Sequence, residues 1–242
     1  MSPDAPAPLL RVRELVKRFG GFRALDGVSF HLAPGEVLGL VGPNGSGKTT
    51  CINVISGLYA PDGGTVSFEG RATGGVRSDR LARAGINRTY QSPKPFLSLT
   101  VQENVEIAAV YGNLREPVDL AALLASLELD PHAGRFAADL NSAQQKTLDL
   151  ARALATRPRL LLVDELGAGL NPAELGRMAD RLRALAKDGM ALLVVEHLMG
   201  FIDKVTDRVI VMNAGREIFE GTLAEATRDK TVVQVFLGGQ AA

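Results

Sequence analysis

Short apolar runs alternate with helical patterns along most of the chain. Five runs have the length of a β-strand: residues 28–32, 37–41, 160–163, 191–195 and 209–212. Three of the five are almost entirely apolar, which is typical of strands covered on both faces: residues 37–41, 160–163 and 191–195. Helical patterns lie between the runs, at residues 49–56, 143–155 and 173–187. This alternation predicts an α/β fold, in which helices flank a mostly parallel sheet.

The beginning of the chain and one internal stretch depart from this alternation. Residues 9–30 indicate shorter antiparallel strands, separated by Gly20-Gly21 and by Gly27. Residues 101–129 are helical in pattern and poor in strands. No linker rich in Pro, Gly or Ser divides the chain. We therefore expect one domain over residues 1–242, with an N-terminal antiparallel β part and a helical subdomain at about residues 92–150.

Composition excludes several classes of protein. Hydrophobic residues make up 46% of the 242 positions, enough for a large core, so the chain is not intrinsically disordered. The 27 basic and 27 acidic residues cancel, and without a basic excess we expect no nucleic-acid partner. The single cysteine, Cys51, excludes an internal disulfide and fits a reducing compartment.

The sequence also bears on localisation. Residues 1–8 lack a positively charged stretch before an apolar run, so they do not resemble a secretory signal and are expected to fray. No apolar run approaches the roughly 18 residues that span a bilayer. We therefore expect a cytoplasmic protein whose association with a membrane depends on a partner.

One segment matches the phosphate-binding pattern G-x-x-x-x-G-K-[ST] at every fixed position: Gly42-Pro43-Asn44-Gly45-Ser46-Gly47-Lys48-Thr49. An apolar run enters this phosphate loop (residues 42–49) and a helical pattern leaves it, so a glycine-rich turn formed by chance is the weaker interpretation. The glycines let successive N–H groups converge on phosphate oxygens, and the helix N-terminus adds partial positive charge. Lys48 would reach the β- and γ-phosphates and the Thr49 hydroxyl would bind Mg²⁺. We expect ATP and Mg²⁺ at this loop and the adjoining Thr50.

Two acids follow the apolar run at residues 160–163. A buried strand that ends in Asp164 places a carboxylate at the C-terminal edge of the sheet, beside the phosphate loop. Asp164 would hold Mg²⁺ through water, and Glu165 would orient or deprotonate the attacking water. The alternative is an ordinary solvated pair of acids, which the phosphate loop makes less attractive.

The order of the remaining motifs separates this chain from other NTPases. They are Arg88-Thr89-Tyr90-Gln91, Leu140-Asn141-Ser142-Ala143-Gln144-Gln145, Gly167-Ala168-Gly169-Leu170-Asn171-Pro172, Val195-Glu196-His197 and Phe236-Leu237-Gly238-Gly239. In this order the chain resembles the ATP-binding-cassette (ABC) ATPases over nearly its whole length, and most of all the ATPase subunits of branched-chain amino-acid uptake systems. The resemblance implies a P-loop NTPase (RecA-like) fold.

The resemblance also implies roles for three further residues. Gln91 would contact Mg²⁺ or the attacking water and sense the γ-phosphate, where the alternative is an ordinary loop residue. His197 would hydrogen-bond the γ-phosphate and help to position the water at Glu165. Phe19 would stack on adenine. The alternative for Phe19 is an ordinary residue of a sheet, and Phe22 is nearby.

The segment Leu140-Asn141-Ser142-Ala143-Gln144, here called the signature segment, occupies the position of the family's L-S-G-G-Q motif. In the family this helix N-terminus closes over the γ-phosphate of a second subunit in a head-to-tail dimer. Ala143 replaces a glycine, so its methyl group is expected to hinder close approach of the backbone, and Leu166 replaces a proline. Two interpretations remain open. The changes are harmless, or they mark an asymmetric heterodimer in which one site turns over slowly.

The resemblance implies the ATP-hydrolysing subunit of an importer at the cytoplasmic face of the inner (plasma) membrane. Its partners would be a second ABC ATPase subunit (in a homodimer or heterodimer), integral membrane permease subunits and a solute-binding protein. The cargo would be branched-chain amino acids or related small polar solutes. An exporter ATPase, such as that of lipopolysaccharide transport, remains an alternative. A non-transport ABC-type ATPase is disfavoured, because the chain has no coiled-coil insertion, second cassette or basic stripe.

Overall fold

Two sheets and the helices packed against them make up the structure, a computed structural model that describes residues 7–112 and 118–238. The first six residues of the predicted N-terminal tail and Gly239 of the last motif lie outside the described residues. The strands are β1 (Leu10–Phe19), β2 (Phe22–Leu32), β3 (Val37–Val41), β4 (Gly63–Phe68), β5 (Arg71–Ala72), β6 (Ile86–Arg88), β7 (Leu160–Asp164), β8 (Ala191–Val195), β9 (Arg208–Asn213) and β10 (Arg216–Gly221). The helices are α1 (Lys48–Ile55), α2 (Ser78–Ala84), α3 (Val101–Tyr111), α4 (Leu120–Ser126), α5 (Ser142–Ala155), α6 (Pro172–Lys187), α7 (Met199–Val205), α8 (Leu223–Ala226) and α9 (Lys230–Gly238).

The larger sheet confirms the predicted α/β fold. It has six strands in the order β10-β9-β3-β8-β7-β6, and all neighbours are parallel except β10, which pairs antiparallel to β9 at the edge. Every residue of β3, β7 and β8 is buried, as their apolar runs predicted. β3 and β8 have the predicted bounds, whereas β7 extends one residue further, to Asp164.

The smaller sheet is antiparallel, in the order β2-β1-β4-β5, and begins with the strands expected at the front of the chain. Gly20-Gly21 forms the predicted turn between β1 and β2. The prediction that Gly27 also separates strands is wrong, because β2 runs through it without a break. Gly27 has φ +89°, and the pairing with β1 shifts register between Val28 and Asp26. It therefore marks a bulge, where a left-handed residue bends a continuous strand.

The stretch predicted to be helical contains α3 and α4, with short 3-10 turns at Asp130–His132 and Ala137–Asp139 before α5. Thr100 caps α3 through a capping box with Glu103. Val101, Leu124 and Leu148 of these helices are buried in the same apolar cluster as residues of β7. The helical stretch thus shares its core with the larger sheet, and its boundaries as a subdomain stay a prediction.

Helix bounds near the site follow from local caps. α5 begins one residue earlier than expected because Asn141 accepts a hydrogen bond from the N–H of Gln144. α6 begins at Pro172 after the cap residue Asn171, where a proline costs no hydrogen bond. Within the described residues, no helix combines the length and apolarity needed to cross a membrane.

Candidate functional site

Four adjacent parallel strands end side by side, and predicted site residues follow each of them. β8 lies between β3 and β7, and its Val195 is level with both Leu40 and Asp164. β6 lies on the far side of β7. Neighbouring strands are about 4.8 Å apart, so these ends span a short distance. The phosphate loop, His197, the two acids and Gln91 therefore share one edge of the sheet.

The phosphate loop has a positive φ angle, which favours glycine, at three positions. Gly42, Gly45 and Gly47 have φ values of +147°, +78° and +105°. A Cβ atom on Gly42 would lie 2.2 Å from the carbonyl oxygen of Met212, and one on Gly47 would lie 2.6 Å from that of Ala24. The loop is thus pressed against neighbouring backbone on one side. This cradle fits a ligand that the backbone approaches closely, as it approaches phosphate.

Lys48 begins α1 and folds back over the phosphate loop. Its Nζ donates to the carbonyl oxygens of Gly42 (2.8 Å) and Pro43 (2.9 Å). Burial lowers the pKa of Lys48, and the carboxylates of Glu165 and Asp164 oppose that shift. The two acids are therefore close enough to act on the ammonium group, as a shared site requires.

The N-terminus of α1 is open to an anion. Its N-cap is Gly47, and among the described residues no side chain caps it. Thr49 is exposed and Thr50 half-buried on its first turn. Helix N-termini leave N–H groups without a partner inside the helix, and these groups bind negative charge.

Asp164 is buried and paired with Arg88, a residue for which the sequence indicated no role. Arg88 Nη2 donates to Asp164 Oδ2 at 2.9 Å, and Arg88 Nη1 donates to Asn53 Oδ1 of α1 at 2.7 Å. Its guanidinium lies 4.6 Å from the centre of the Tyr90 ring. Burial raises the pKa of Asp164, and Arg88 opposes that shift. Arg88 thus ties the acid at the end of β7 to the helix that follows the phosphate loop.

Glu165 and Gln91 are brought into direct contact. Gln91 Nε2 donates to Glu165 Oε2 at 2.5 Å, across 74 positions of sequence. Glu165 has φ +47°, a left-handed value that costs free energy in any residue with a side chain. Its N–H donates to the carbonyl oxygen of Val195 at the end of β8. The structure therefore joins two of the three predicted catalytic residues.

His197 is exposed and follows β8 at the same edge. Its ring Nδ1 lies 4.0 Å from Glu196 Oε2, and the described contacts include none between the ring and Glu165. The structure therefore places His197 near the other predicted residues without joining it to them.

The oxygen donors at this edge fit Mg²⁺. The ion is usually held by one or two carboxylates together with phosphate oxygens and water. Asp164 offers a carboxylate and Thr49 a hydroxyl. Gln91 donates to Glu165 through its amide nitrogen, so its amide oxygen faces a different direction. This donor set has the hard oxygen chemistry that the ion requires.

Phe19 ends β1 and keeps 43% of its surface exposed. The edge of its ring contacts Tyr59, with ring centres 5.2 Å apart and planes at 77°. Phe22 is 63% exposed and begins β2, two residues before Ala24, whose carbonyl lies against the phosphate loop. An aromatic surface therefore lies close in sequence and space to the loop.

The signature segment opens α5 with a closed cap. Asn141 Oδ1 accepts from the N–H of Gln144 at 2.9 Å, and Gln144 Oε1 accepts from the N–H of Asn141 at 3.1 Å. Asn141 and Ser142 are exposed, and Ala143 is half-buried. Among the described contacts, none joins this segment to the phosphate loop of the same chain. The phosphate loop, the two acids, Gln91 and His197 thus lie at one edge of the sheet, and the signature segment makes no described contact with the phosphate loop.

Comparison with known proteins gives consistent results. The family model described as "ABC transporter" matches residues 25–168. The chain is 35% identical to the high-affinity branched-chain amino acid transport ATP-binding protein LivG of Salmonella typhimurium, over 96% of this chain and 98% of that one. A solved nucleotide-free ATP-binding cassette from an ABC transporter superposes with a TM-score of 0.86 at 32% identity, covering 95% of this chain and 99% of that one. A cassette solved as a dimer in a post-hydrolysis state, bound to ADP and Pi, has a TM-score of 0.79 at 26% identity, with coverage of 88% and 98%.

Proposed function

The chain belongs to the ABC transporter family of ATP-binding cassettes, and from this premise we propose that it is the ATP-hydrolysing subunit of an importer for branched-chain amino acids or related small polar solutes. ATP hydrolysis coupled to transport is the activity of the family. The observation that carries the proposal is the contact between Gln91 and Glu165 at the sheet edge that also holds the phosphate loop. This arrangement supplies a base for water next to a cradle for phosphate.

Nucleotide binding is assigned to the phosphate loop, Thr50 and Phe19. In this proposal Lys48 exchanges its two loop carbonyls for the β- and γ-phosphates, which are stronger acceptors because they are charged. The open N-terminus of α1 adds backbone donors. Phe19 stacks on adenine through the part of its ring that Tyr59 leaves exposed.

The metal ligands in this proposal are Thr49, Gln91 and Asp164. Bound Mg²⁺ supplies charge that neutralises the phosphate oxygens. Arg88 keeps Asp164 oriented through the ion pair at 2.9 Å. Since Arg88 uses Oδ2, the other carboxylate oxygen of Asp164 is the one that would face a metal-bound water.

Catalysis is assigned to Glu165, Gln91 and His197. Glu165 orients the attacking water and accepts its proton. Gln91 holds one carboxylate oxygen of Glu165 and so directs the other oxygen towards the water. His197 hydrogen-bonds the γ-phosphate from the neighbouring strand end, which its exposed position permits.

The signature segment is assigned to the nucleotide of a second ATPase subunit, in a head-to-tail homodimer or heterodimer. Its separation from the phosphate loop of its own chain supports this assignment, as does the dimeric state of one structural relative. The permease subunits would hold the chain at the cytoplasmic face of the membrane, next to a solute-binding protein. The cargo follows the name of the LivG relative, which the chain matches over almost its full length.

Replacing Glu165 with Gln tests the proposed chemistry. Gln keeps the size of the side chain but removes the base, so turnover should fall by at least about a hundredfold. ATP binding and ATP-dependent dimerisation should persist. The measurements are steady-state phosphate release and light scattering with and without ATP. Asp203→Asn, on the exposed side of α7, is the matched control and should behave as the unmodified chain. Retained hydrolysis in Glu165→Gln would remove Glu165 from this role.

The cargo needs a separate test. The genes that flank this one should encode two permeases and a solute-binding protein. Isothermal titration of that binding protein with leucine, isoleucine and valine should give tighter binding than titration with urea or short amides. The opposite order would replace the proposed cargo while leaving the ATPase assignment in place.

A further inference from the structure

We propose that Lys146 and Asp149 of α5 are positioning residues that couple the signature segment to the two loops carrying Glu165 and Gln91. The inference rests on the proposed function, since it assigns these side chains to the same hydrolytic site. The described hydrogen bonds of Lys146 and Asp149 include none to the phosphate loop. Each acts through a loop that it holds.

Lys146 binds the loop that begins at Glu165. Its Nζ donates to the carbonyl oxygens of Leu166 (3.0 Å) and Ala168 (2.5 Å) and, at 3.4 Å, to that of Glu165 itself. The side chain is 5% exposed. An ammonium group has three donors, so this short loop uses all of them. Because the buried ammonium group donates all three hydrogen bonds to backbone carbonyls, it stabilises one conformation of that backbone.

Glu196 binds the same loop through a backbone N–H group. Its Oε1 accepts from the N–H of Gly167 at 2.6 Å, and its residue surface is 1% exposed. A Cβ atom on Gly167 would lie 2.9 Å from Leu175 Cδ2 and 3.0 Å from Glu196 Oε1, so glycine leaves room for the close contact. Burial lowers the pKa of Lys146 and raises that of Glu196, and the negative charge of Glu196 supports the charged form of Lys146. The loop is thus bonded to two buried side chains of opposite charge.

The conformation of this loop depends on such contacts, because no proline ring restricts its backbone. Residue 166 is leucine, so no proline ring fixes the φ angle after Glu165. Glu165 itself has a left-handed backbone, at φ +47°, which persists only where the surroundings hold it. Lys146 bonds the carbonyls of both residues. It is therefore in position to maintain the direction of the Glu165 side chain.

Asp149 holds the second loop. Its Oδ2 accepts from the N–H of Tyr90 at 2.9 Å, one residue before Gln91, and Asp149 is 4% exposed. Residues three apart on a helix lie on neighbouring positions of one face, so Lys146 and Asp149 address both loops from the same side of α5. The two loops then meet in the bond between Gln91 and Glu165. A shift of α5 is therefore expected to move both partners of that bond.

The N-terminus of the same helix belongs to the signature segment, which begins six positions before Lys146. In a head-to-tail dimer, the nucleotide of the partner would contact this N-terminus and set the position of α5. Through Lys146 and Asp149, that position would determine the alignment of Glu165 and Gln91 in this chain. Occupancy of one nucleotide site is thus linked to readiness of the other.

Substitutions at Lys146 and Asp149 test the proposal, because they should lower kcat without changing the affinity for ATP. Lys146→Met and Asp149→Leu should each lower kcat by about tenfold to a hundredfold, since small misplacement of a catalytic group has effects of this size. The dissociation constant for ATP should change by no more than about twofold, because the phosphate loop is untouched. Lys146→Arg and Asp149→Asn keep a donor and an acceptor, and should retain most of the turnover. The measurements are phosphate release across ATP concentrations and binding of a fluorescent ATP analogue.

Leu150→Ala is the control for a purely structural role. Leu150 is fully buried on the same helix, so its truncation should lower the melting temperature without lowering kcat. An equal fall of kcat in Leu150→Ala would overturn the proposal. Unchanged kcat in Lys146→Met and Asp149→Leu would also overturn it.

Hydrogen exchange tests the same contacts without relying on turnover. In the nucleotide-free chain, Lys146→Met should speed exchange in residues 165–168 and leave Tyr90 unchanged. Asp149→Leu should do the reverse. Absence of these local changes overturns the positioning role even if the chain hydrolyses ATP. A different result is also informative: the exchange rates change as expected, but the unmodified chain binds no ATP. That result would contradict the proposed function and still support the contacts of Lys146 and Asp149 with the two loops.

Discussion

The N-termini of α1 and α5 are assigned the same task, contact with phosphate, but they are built in opposite ways. α1 starts after Gly47, at φ +105°, and within the described residues no side chain caps it. α5 starts after Asn141, whose side chain forms a closed capping box with Gln144. The first helix therefore leaves its amides open to a ligand. The second satisfies part of its own end, and is stable without one.

This difference explains why one site depends on glycine and the other accepts alanine. The phosphate loop is pressed against the backbone of Met212 and Ala24, where a methyl group does not fit. Ala143 lies inside the first turn of α5, half-buried beside a cavity lined by Leu170 and Met178. Alanine is the best helix former at such a position. Helix propensity thus favours alanine at position 143, whereas the phosphate loop requires glycine because a methyl group has no space there.

The largest expected effect comes from adding a methyl group to the phosphate loop. In Gly42→Ala the new Cβ would lie 2.2 Å from the carbonyl oxygen of Met212, so the loop or β9 must move. We expect a loss of about 2–4 kcal/mol in the free energy of unfolding and loss of ATP binding. Urea unfolding and titration with a fluorescent ATP analogue measure the two effects.

The matched control is Gly176→Ala in α6. A Cβ there meets no atom within 4 Å, and its φ is not in the left-handed region. Replacing glycine inside a helix should stabilise the chain by about 0.5–1 kcal/mol and leave ATP binding unchanged. Wild-type affinity in Gly42→Ala would show that the phosphate loop tolerates a side chain, and the contrast with α5 would fail.

A smaller effect is expected from the reverse change in the signature segment. Ala143→Gly should cost up to about 1 kcal/mol of stability, because glycine is the weaker helix former. We expect no gain in ATPase activity of the assembled complex, since Ala143 keeps its backbone N–H group and lies half-buried in the first turn of α5. Thermal unfolding and phosphate release are the measurements. A clear gain in turnover would instead favour the asymmetric heterodimer, with Ala143 obstructing the partner's nucleotide.

Much of the site could be predicted from sequence because it depends on local patterns. The phosphate loop is a contiguous motif, and uniformly apolar runs identified β3, β7 and β8. Once these strands are parallel, their following residues must meet at one edge. The contact between Gln91 and Glu165 follows from that topology, and the resemblance to ABC ATPases implies a role for Gln91.

The buried charges could not be predicted in this way. Arg88 and Asp164 are 76 positions apart, and Glu196 meets Gly167 across 29 positions. Lys146 donates to backbone carbonyls of the loop after β7. Every residue has a backbone carbonyl, so the sequence does not indicate which ones accept these bonds. A lysine in a helical pattern ordinarily lies on the surface. Such contacts depend on how α5 packs over the sheet, which no local pattern specifies.

The smallest effect concerns Cys51, a thiol on α1 that can report on the phosphate-loop helix. Cys51 is fully buried, and burial raises the pKa of its thiol to about 12 from an ordinary 9.0. Because the folded pKa is the higher one, folding is favoured below pH 9 by this group, and that contribution is lost as pH rises towards 12. At pH 8 only about one thiol in ten thousand would be ionised in the folded chain. Reaction with iodoacetamide should therefore require opening of α1.

The alkylation rates of two buried thiols, one in α1 and one in α5, compare how the two helices respond to ATP. Cys51 reports on α1, and Ala151→Cys in a Cys51→Ala background reports on α5, where Ala151 is also fully buried. In the isolated chain, ATP with Mg²⁺ should slow alkylation of Cys51, because a ligand that binds only the closed form suppresses opening. It should slow alkylation at position 151 much less, because α5 is assigned to the nucleotide of a second subunit. Equal protection at both positions would mean that the two helices open together when nucleotide is lost, and the contrast between them would not hold in the isolated chain.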